Sequence, residues 1–140
     1  MDNYKILLKE KKKILSKIDI FYKKKSREKS QLDNFIKIET KNFTRRESIN
    51  FSIISGDINP IHKDYKYSIK TNFGKPIMHG IHLFVYALNI LSKKKILISK
   101  IKVNFLKPVF VENELSFYIN FSKNIFYIVQ NNIICVKLFF

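Results

Sequence analysis

Apolar residues recur at helical spacing at the start of the chain and in alternation towards its end. Over residues 1–30, Tyr4, Leu7, Leu8, Ile14, Leu15, Ile18, Phe21 and Tyr22 form one helical stripe with lysines on the other side. "SREKSQ" then reads as a linker, so residues 1–30 form a basic amphipathic extension and residues 31–140 the main domain. "NFIKIETK" predicts a first strand. In "TRRESINFSII", Thr44 is placed to cap a helix and Glu47, three residues on, completes a capping box, with Ile49, Phe51, Ile53 and Ile54 as the apolar side. "SGDINPIH" is a turn, because glycine and Asn-Pro both favour one. "KDYKYSIKT" predicts a second short helix and "NFGKPIMHG" a loop. From Gly80, "GIHLFVYALNILSKK" is apolar all round and predicts a buried helix. Beyond it, "ILISKIKVNF", "ELSFYINFS", "IFYIVQ" and "IICVKLFF" alternate or run apolar and are rich in β-branched and aromatic residues, which predicts strands. One long helix followed by antiparallel strands buries both most simply if the sheet wraps the helix, an α+β arrangement.

Composition adds compartment and charge. A chain of 140 residues, 46% of them hydrophobic, suits one domain with one core. The single cysteine, Cys135, lies in an apolar run and is expected to be a buried strand residue; alone, it excludes an internal disulfide and suits a reducing compartment. The basic N-terminus lacks the continuous apolar block of a secretory signal. The longest candidate membrane run, "IHLFVYALNIL", is too short to span and contains His82 and Asn89. The expectation is a soluble cytoplasmic protein. A formal charge of +16 attracts polyanions such as nucleic acid, anionic lipid or phosphorylated ligands, although an AT-rich genome drifting toward lysine, isoleucine and asparagine codons produces the same bias. The N-terminal helix suits docking on its own domain, contact with an anionic membrane surface, or a grip on nucleic acid. No specific nucleic acid is expected as a partner, since no recognised binding motif is present.

The chemistry concentrates in "SGDINPIH", where Asp57 and His62 flank Asn59 and Pro60. An acid and a histidine on one loop are a candidate proton-transfer pair; they are equally two solvated turn residues.

A longer window separates these readings. "SGDINPIHKDYKYSIKTNFGKPIMHG" closely resembles the signature of the MaoC-like hydratases, S-G-D-x-N-P-[LIV]-H-x-D followed by F-G-x-x-[IV]-x-H-G. Ser55, Gly56, Asp57, Asn59, Pro60, Ile61, His62 and Asp64 match, as do Phe73, Gly74, Ile77, His79 and Gly80. "VNFLKPVFVENELSF" is similar to a further family segment, with Glu112-Asn113-Glu114 in place of the usual Gly-Asp turn. The resemblance runs from about Asn42 to the C-terminus.

The resemblance implies a hotdog fold, a curved antiparallel sheet wrapped around one long central helix, and usually a homodimer. It implies an enzyme that adds or removes water at the double bond of an acyl thioester carried by CoA or a carrier protein, without a further cofactor or metal. Asp57 and His62 would handle the water, and the Gly80 N–H would bind the thioester oxygen. Asn59 would brace the loop, and Ile77 and Phe73 fall among the substrate-binding positions. His79 would fix the loop. His82 occupies a site where family members more often carry small or apolar residues and is expected to be a satisfied core or interface histidine; Asn89 is expected at the helix rim. Ala87, the only alanine, sits among Phe84, Val85 and Tyr86, which suggests a short or medium acyl group. The competing expectations are a hotdog thioesterase and a catalytically silent module that binds a polyanion through its basic surface.

Overall fold

The computed structural model describes residues 32–140, so the extension expected over residues 1–30 lies outside the described residues. Strand β1 (Ile36–Asn42) leads into helix α1 (Arg45–Ser55). The capping box forms as expected: Thr44 Oγ1 accepts the Glu47 N–H at 3.1 Å and Glu47 Oε2 accepts the Thr44 N–H at 2.7 Å. Gly56, at φ +70°, ends α1 in the left-handed region that glycine enters without steric penalty. Pro60–His62 form one 3-10 turn, with Pro60 in its first positions where no N–H is needed. Helix α2 (Tyr65–Ser68) is capped by Asp64, and helix α3 (Gly80–Lys93) is the long one. Strands β2 (Lys102–Phe105), β3 (Glu114–Asn120), β4 (Ile125–Gln130) and β5 (Ile133–Phe139) follow.

The five strands form one antiparallel sheet in the order β1-β3-β4-β5-β2. β4 and β5 join through Asn131 and Asn132, at φ 51° and 60°; asparagine tolerates this geometry, which suits a two-residue hairpin turn. β3 alternates, burying Leu115, Phe117 and Ile119 and turning Ser116 and Tyr118 outward. Those inward residues join Phe126, Ile128, Val136 and Leu138 in one core with Leu83, Ala87, Ile90 and Leu91 of α3. On the other face of the sheet, Tyr127, Val129 and Ile134 form a second cluster with Leu32 and Phe35, whose ring stacks on Tyr127 at 4.3 Å. Cys135 is buried in β5 as expected.

Three expectations change. Helix α3 is not buried all round: Val85 is 50% exposed and Asn89 lies at the rim, because a single sheet covers one face only. Of "ILISKIKVNF" only Lys102–Phe105 pairs, since the chain must first travel from the end of α3 to the far edge of the sheet beside β5; Leu97 on that path is 99% exposed. Helix α1 half-buries Ile49 and Phe51, as expected, but fully buries Ser48 and Ser52 and exposes Ile53 and Ile54, which were expected on its apolar side. Among the described residues, no helix is long and apolar enough to cross a membrane.

Candidate active site

The turn after α1 is held by its own polar side chains. Asp57 Oδ1 accepts the Asn59 N–H at 3.3 Å, Asn59 Oδ1 accepts the Ile61 N–H at 3.1 Å, and Ser55 Oγ accepts the Asp57 N–H at 3.2 Å. Asn59 therefore braces the loop. With Oδ1 engaged, Asp57 presents Oδ2 to His62, whose Nε2 is 3.8 Å away. The loop is tied down from α1, where Ser48 Oγ donates to the His62 carbonyl at 2.8 Å.

The tautomer of His62 follows from one contact. Its Nδ1 lies 2.8 Å from the carbonyl oxygen of Ile77, which can only accept, so Nδ1 carries the hydrogen. In the neutral ring the basic lone pair is then on Nε2, the nitrogen that faces Asp57. The His62 side chain is 12% exposed and that of Asp57 49%, so the carboxylate is not shielded within a single chain. The Nε2–Oδ2 gap is wider than a direct hydrogen bond and lets one water reach both groups.

His79, the last residue before α3, supports this pair from below. Its ring stacks on that of His62 with centroids 3.8 Å apart and planes inclined by 26°. Its Nε2 lies 3.3 Å from the Asp57 carbonyl and 3.1 Å from Ser52 Oγ, so it donates to the loop it was expected to fix. Burial, with the neighbouring His62 adding to it, pushes its pKa down to about 4, and the ring stays neutral at ordinary pH. Ligand atoms of Asp57, His62 and His79 all lie within 4.8 Å of one another. The His62 and His79 rings are stacked and nearly parallel, a geometry that does not converge both ring nitrogens within the roughly 2 Å of a metal–nitrogen bond.

Gly80 is the first residue of α3, where N–H groups have no acceptor within the helix. A Cβ there would lie 3.0 Å from Cε1 of Phe105, so an alanine would need that ring to give way. Ile77 contributes its backbone: its N–H donates to the Ile61 carbonyl at 3.2 Å and its carbonyl receives His62. Phe73, 40% exposed, lies on the surface of the loop between α2 and α3. His82 departs from expectation. It stacks flat on Phe51 at 4.2 Å and meets Phe43 edge-on, but its Nδ1 is buried with no partner among the described residues, and burial lowers its pKa. At the departure from the Gly-Asp turn, Glu112 takes φ +65° and its carboxylate accepts the Tyr65 hydroxyl, which holds that phenol's pKa up.

Ser48, Ser52 and Gln130 were not singled out from the sequence. The two serines, four residues apart on α1, bond the loop and His79; polar residues in the buried stripe of a short helix are the only trace they leave.

A family model described as the MaoC like domain matches residues 26–133, more than three quarters of the chain. The chain belongs to the MaoC-like family. Among solved structures, this MaoC-like chain is similar to the (R)-hydratase from A. caviae involved in PHA biosynthesis, at 24% identity and a TM-score of 0.63, covering 74% of this chain and 89% of that one. It is also similar to the unliganded R-hydratase PhaJ1 from Pseudomonas aeruginosa, at 19% identity and a TM-score of 0.62, covering 74% and 75% of the two chains. A MaoC-like dehydratase from Phytophthora capsici is 18% identical with a TM-score of 0.55, covering 73% of this chain and 39% of that one. No curated protein matches the chain. The MaoC-like chain therefore has the hotdog fold, with α3 as its central helix.

Proposed function

We propose that this MaoC-like protein hydrates an enoyl thioester, or runs the reverse dehydration. The observation that carries the reading is the tie between His62 Nδ1 and the Ile77 carbonyl, which leaves the basic nitrogen facing Asp57 Oδ2 across 3.8 Å. One water held between them loses a proton to Nε2 while its oxygen bonds the β-carbon of the double bond. The electron pair moves to the thioester oxygen, where the Gly80 N–H and the positive end of α3 stabilise the enolate. The dyad then delivers a proton to the α-carbon, so the count closes with no other donor. No cofactor takes part; CoA or a carrier protein only carries the acyl group, and Lys63, Lys66, Lys70 and Lys75, between the loop and α3, suit its phosphates.

The same reading makes the protein a homodimer. Ile53, Ile54 and Ile58 are 70%, 84% and 56% exposed beside the catalytic loop, and a second copy would cover them and shield Asp57. A single buried cysteine supports a cytoplasmic setting. The test is a panel of trans-2-enoyl-CoA thioesters of rising chain length, following loss of absorbance from the conjugated double bond. Saturable loss with at least one member supports the reading; release of free thiol without hydration would support a thioesterase instead.

A further inference from the structure

The catalytic loop is connected to the sheet through a ladder of backbone groups, and the far end of that ladder is one buried side chain. Phe110 forms an isolated antiparallel bridge with Ile77. The bonds of that bridge come from the flanking residues: Met78 N–H to the Val109 carbonyl at 2.6 Å and Val111 N–H to the Pro76 carbonyl at 3.1 Å. Ile77 and Phe110 are therefore the non-bonded pair of the bridge, and their own N–H and C=O groups point away from each other. On one side, Ile77 spends both on the loop, donating to the Ile61 carbonyl and accepting from His62 Nδ1. On the other side, both groups of Phe110 are taken by Gln130. Its Oε1 accepts the Phe110 N–H at 2.8 Å and its Nε2 donates to the Phe110 carbonyl at 3.0 Å.

Gln130 thus fills the place of a missing strand. Its carboxamide pairs with a peptide group as another peptide would, and its second N–H reaches the Asn113 carbonyl at 3.3 Å. The orientation of the amide is fixed, because the Phe110 N–H only donates and the carbonyls only accept. The residue is 3% exposed at the end of β4. The order is then β4, Gln130, Phe110, Ile77, His62.

We infer that Gln130 is a positioning residue for His62: by gripping both backbone groups of Phe110 it sets where the Ile77 carbonyl lies, and so holds the imidazole in the tautomer that the chemistry uses. The catalytic part of this inference rests on the hydration reading above; the structural part does not. An Ile77 carbonyl released by as little as about 1 Å is enough to lower turnover by about 10²-fold.

The experiment replaces Gln130 in the full chain by Met, which keeps length and bulk but makes none of the three hydrogen bonds. Two readouts are taken on folded protein. Long-range nitrogen–proton NMR reports the tautomer of His62, and steady-state kinetics separates kcat from KM. In the unsubstituted protein His62 carries its proton on Nδ1 alone. In Gln130→Met the two tautomers are expected to mix, kcat to fall about 10- to 100-fold, and KM to stay within about 3-fold. Ile134→Val, buried on the outer face of the sheet, is the stability control: it lowers the melting temperature and leaves both readouts unchanged. Should Gln130→Met not fold, Gln130→Asn keeps the amide but is one methylene too short to grip both Phe110 groups, and a smaller change in the same direction is expected. A folded variant with the original tautomer and kcat overturns the inference. If the unsubstituted protein hydrates no thioester, the hydration reading fails by itself, and the His62 tautomer still decides the role of Gln130.

Discussion

The carbonyl of Ile77 accepts the Nδ1–H of His62 at 2.8 Å, and this contact decides which end of the imidazole is basic. It comes from a backbone group fifteen residues away. The consequences for chemistry, stability and assembly can each be measured.

Asp57 and His62 share one water in this account, so their contributions do not add. Asp57→Asn and His62→Gln are each expected to lower kcat by at least about 10², the lower range for a positioned acid–base group. The double variant should be little worse than either. Independent, multiplying losses in steady-state rates would place the two residues in separate steps.

Gly80 packs against Phe105 and, in the proposed reaction, also offers its N–H to the thioester oxygen. Gly80→Ala brings a methyl group to about 3 Å from the Phe105 ring, and overpacking of this kind costs roughly 1–3 kcal/mol. The melting temperature should fall, and Phe105→Leu in the same chain should restore much of it. Activity should not return with it if the alanine also obstructs the thioester oxygen. A Gly80→Ala protein as stable as the original would show that the Phe105 ring has room to move.

His79 couples stability to pH. Its folded pKa of about 4 lies below the ordinary histidine value of 6.5, so the unfolded chain binds the proton more tightly. Stability from His79 is complete above pH about 6.5 and is lost as pH falls towards 4. Burial of His82 acts in the same direction. Thermal unfolding from pH 7 to pH 5, above most carboxylate titration, should show a falling midpoint. In His79→Gln the slope should shrink to the share left by His82. An unchanged slope would remove His79 from the account.

How much of this was legible in the sequence depends on which atoms do the work. The capping box of Thr44 and Glu47 and the limits of α3 and β4 were readable, because side-chain chemistry and periodicity set them locally. The placement of Asp57 and His62 on one turn and of Gly80 at the start of α3 was readable from their spacing. The position of β2 at the far edge was not, because alternation in "KVNF" does not name a pairing partner. Nor was the burial of Ser48 and Ser52 in place of Ile53 and Ile54, since their partners are a backbone carbonyl and a histidine from distant loops. The relay through Phe110 and Ile77 is invisible for the same reason: it runs through peptide groups that every residue has.

The exposed isoleucines of α1 predict assembly. Ile54→Lys, at a site 84% exposed in the single chain, should leave folding intact and shift the sedimentation profile from dimer to monomer. A monomer with full activity before any substitution would contradict the dimer.

The most direct test is the hydration rate of folded His62→Gln on whichever enoyl-CoA thioester the unsubstituted protein turns over best. Glutamine keeps the polarity and much of the shape but has no basic nitrogen to take the proton of water. The account predicts a fall in kcat of at least about 10² with the melting temperature nearly unchanged. Hydration at close to the original rate would contradict it, and would mean that the loop from Ser55 to His62 supports the fold without carrying the chemistry.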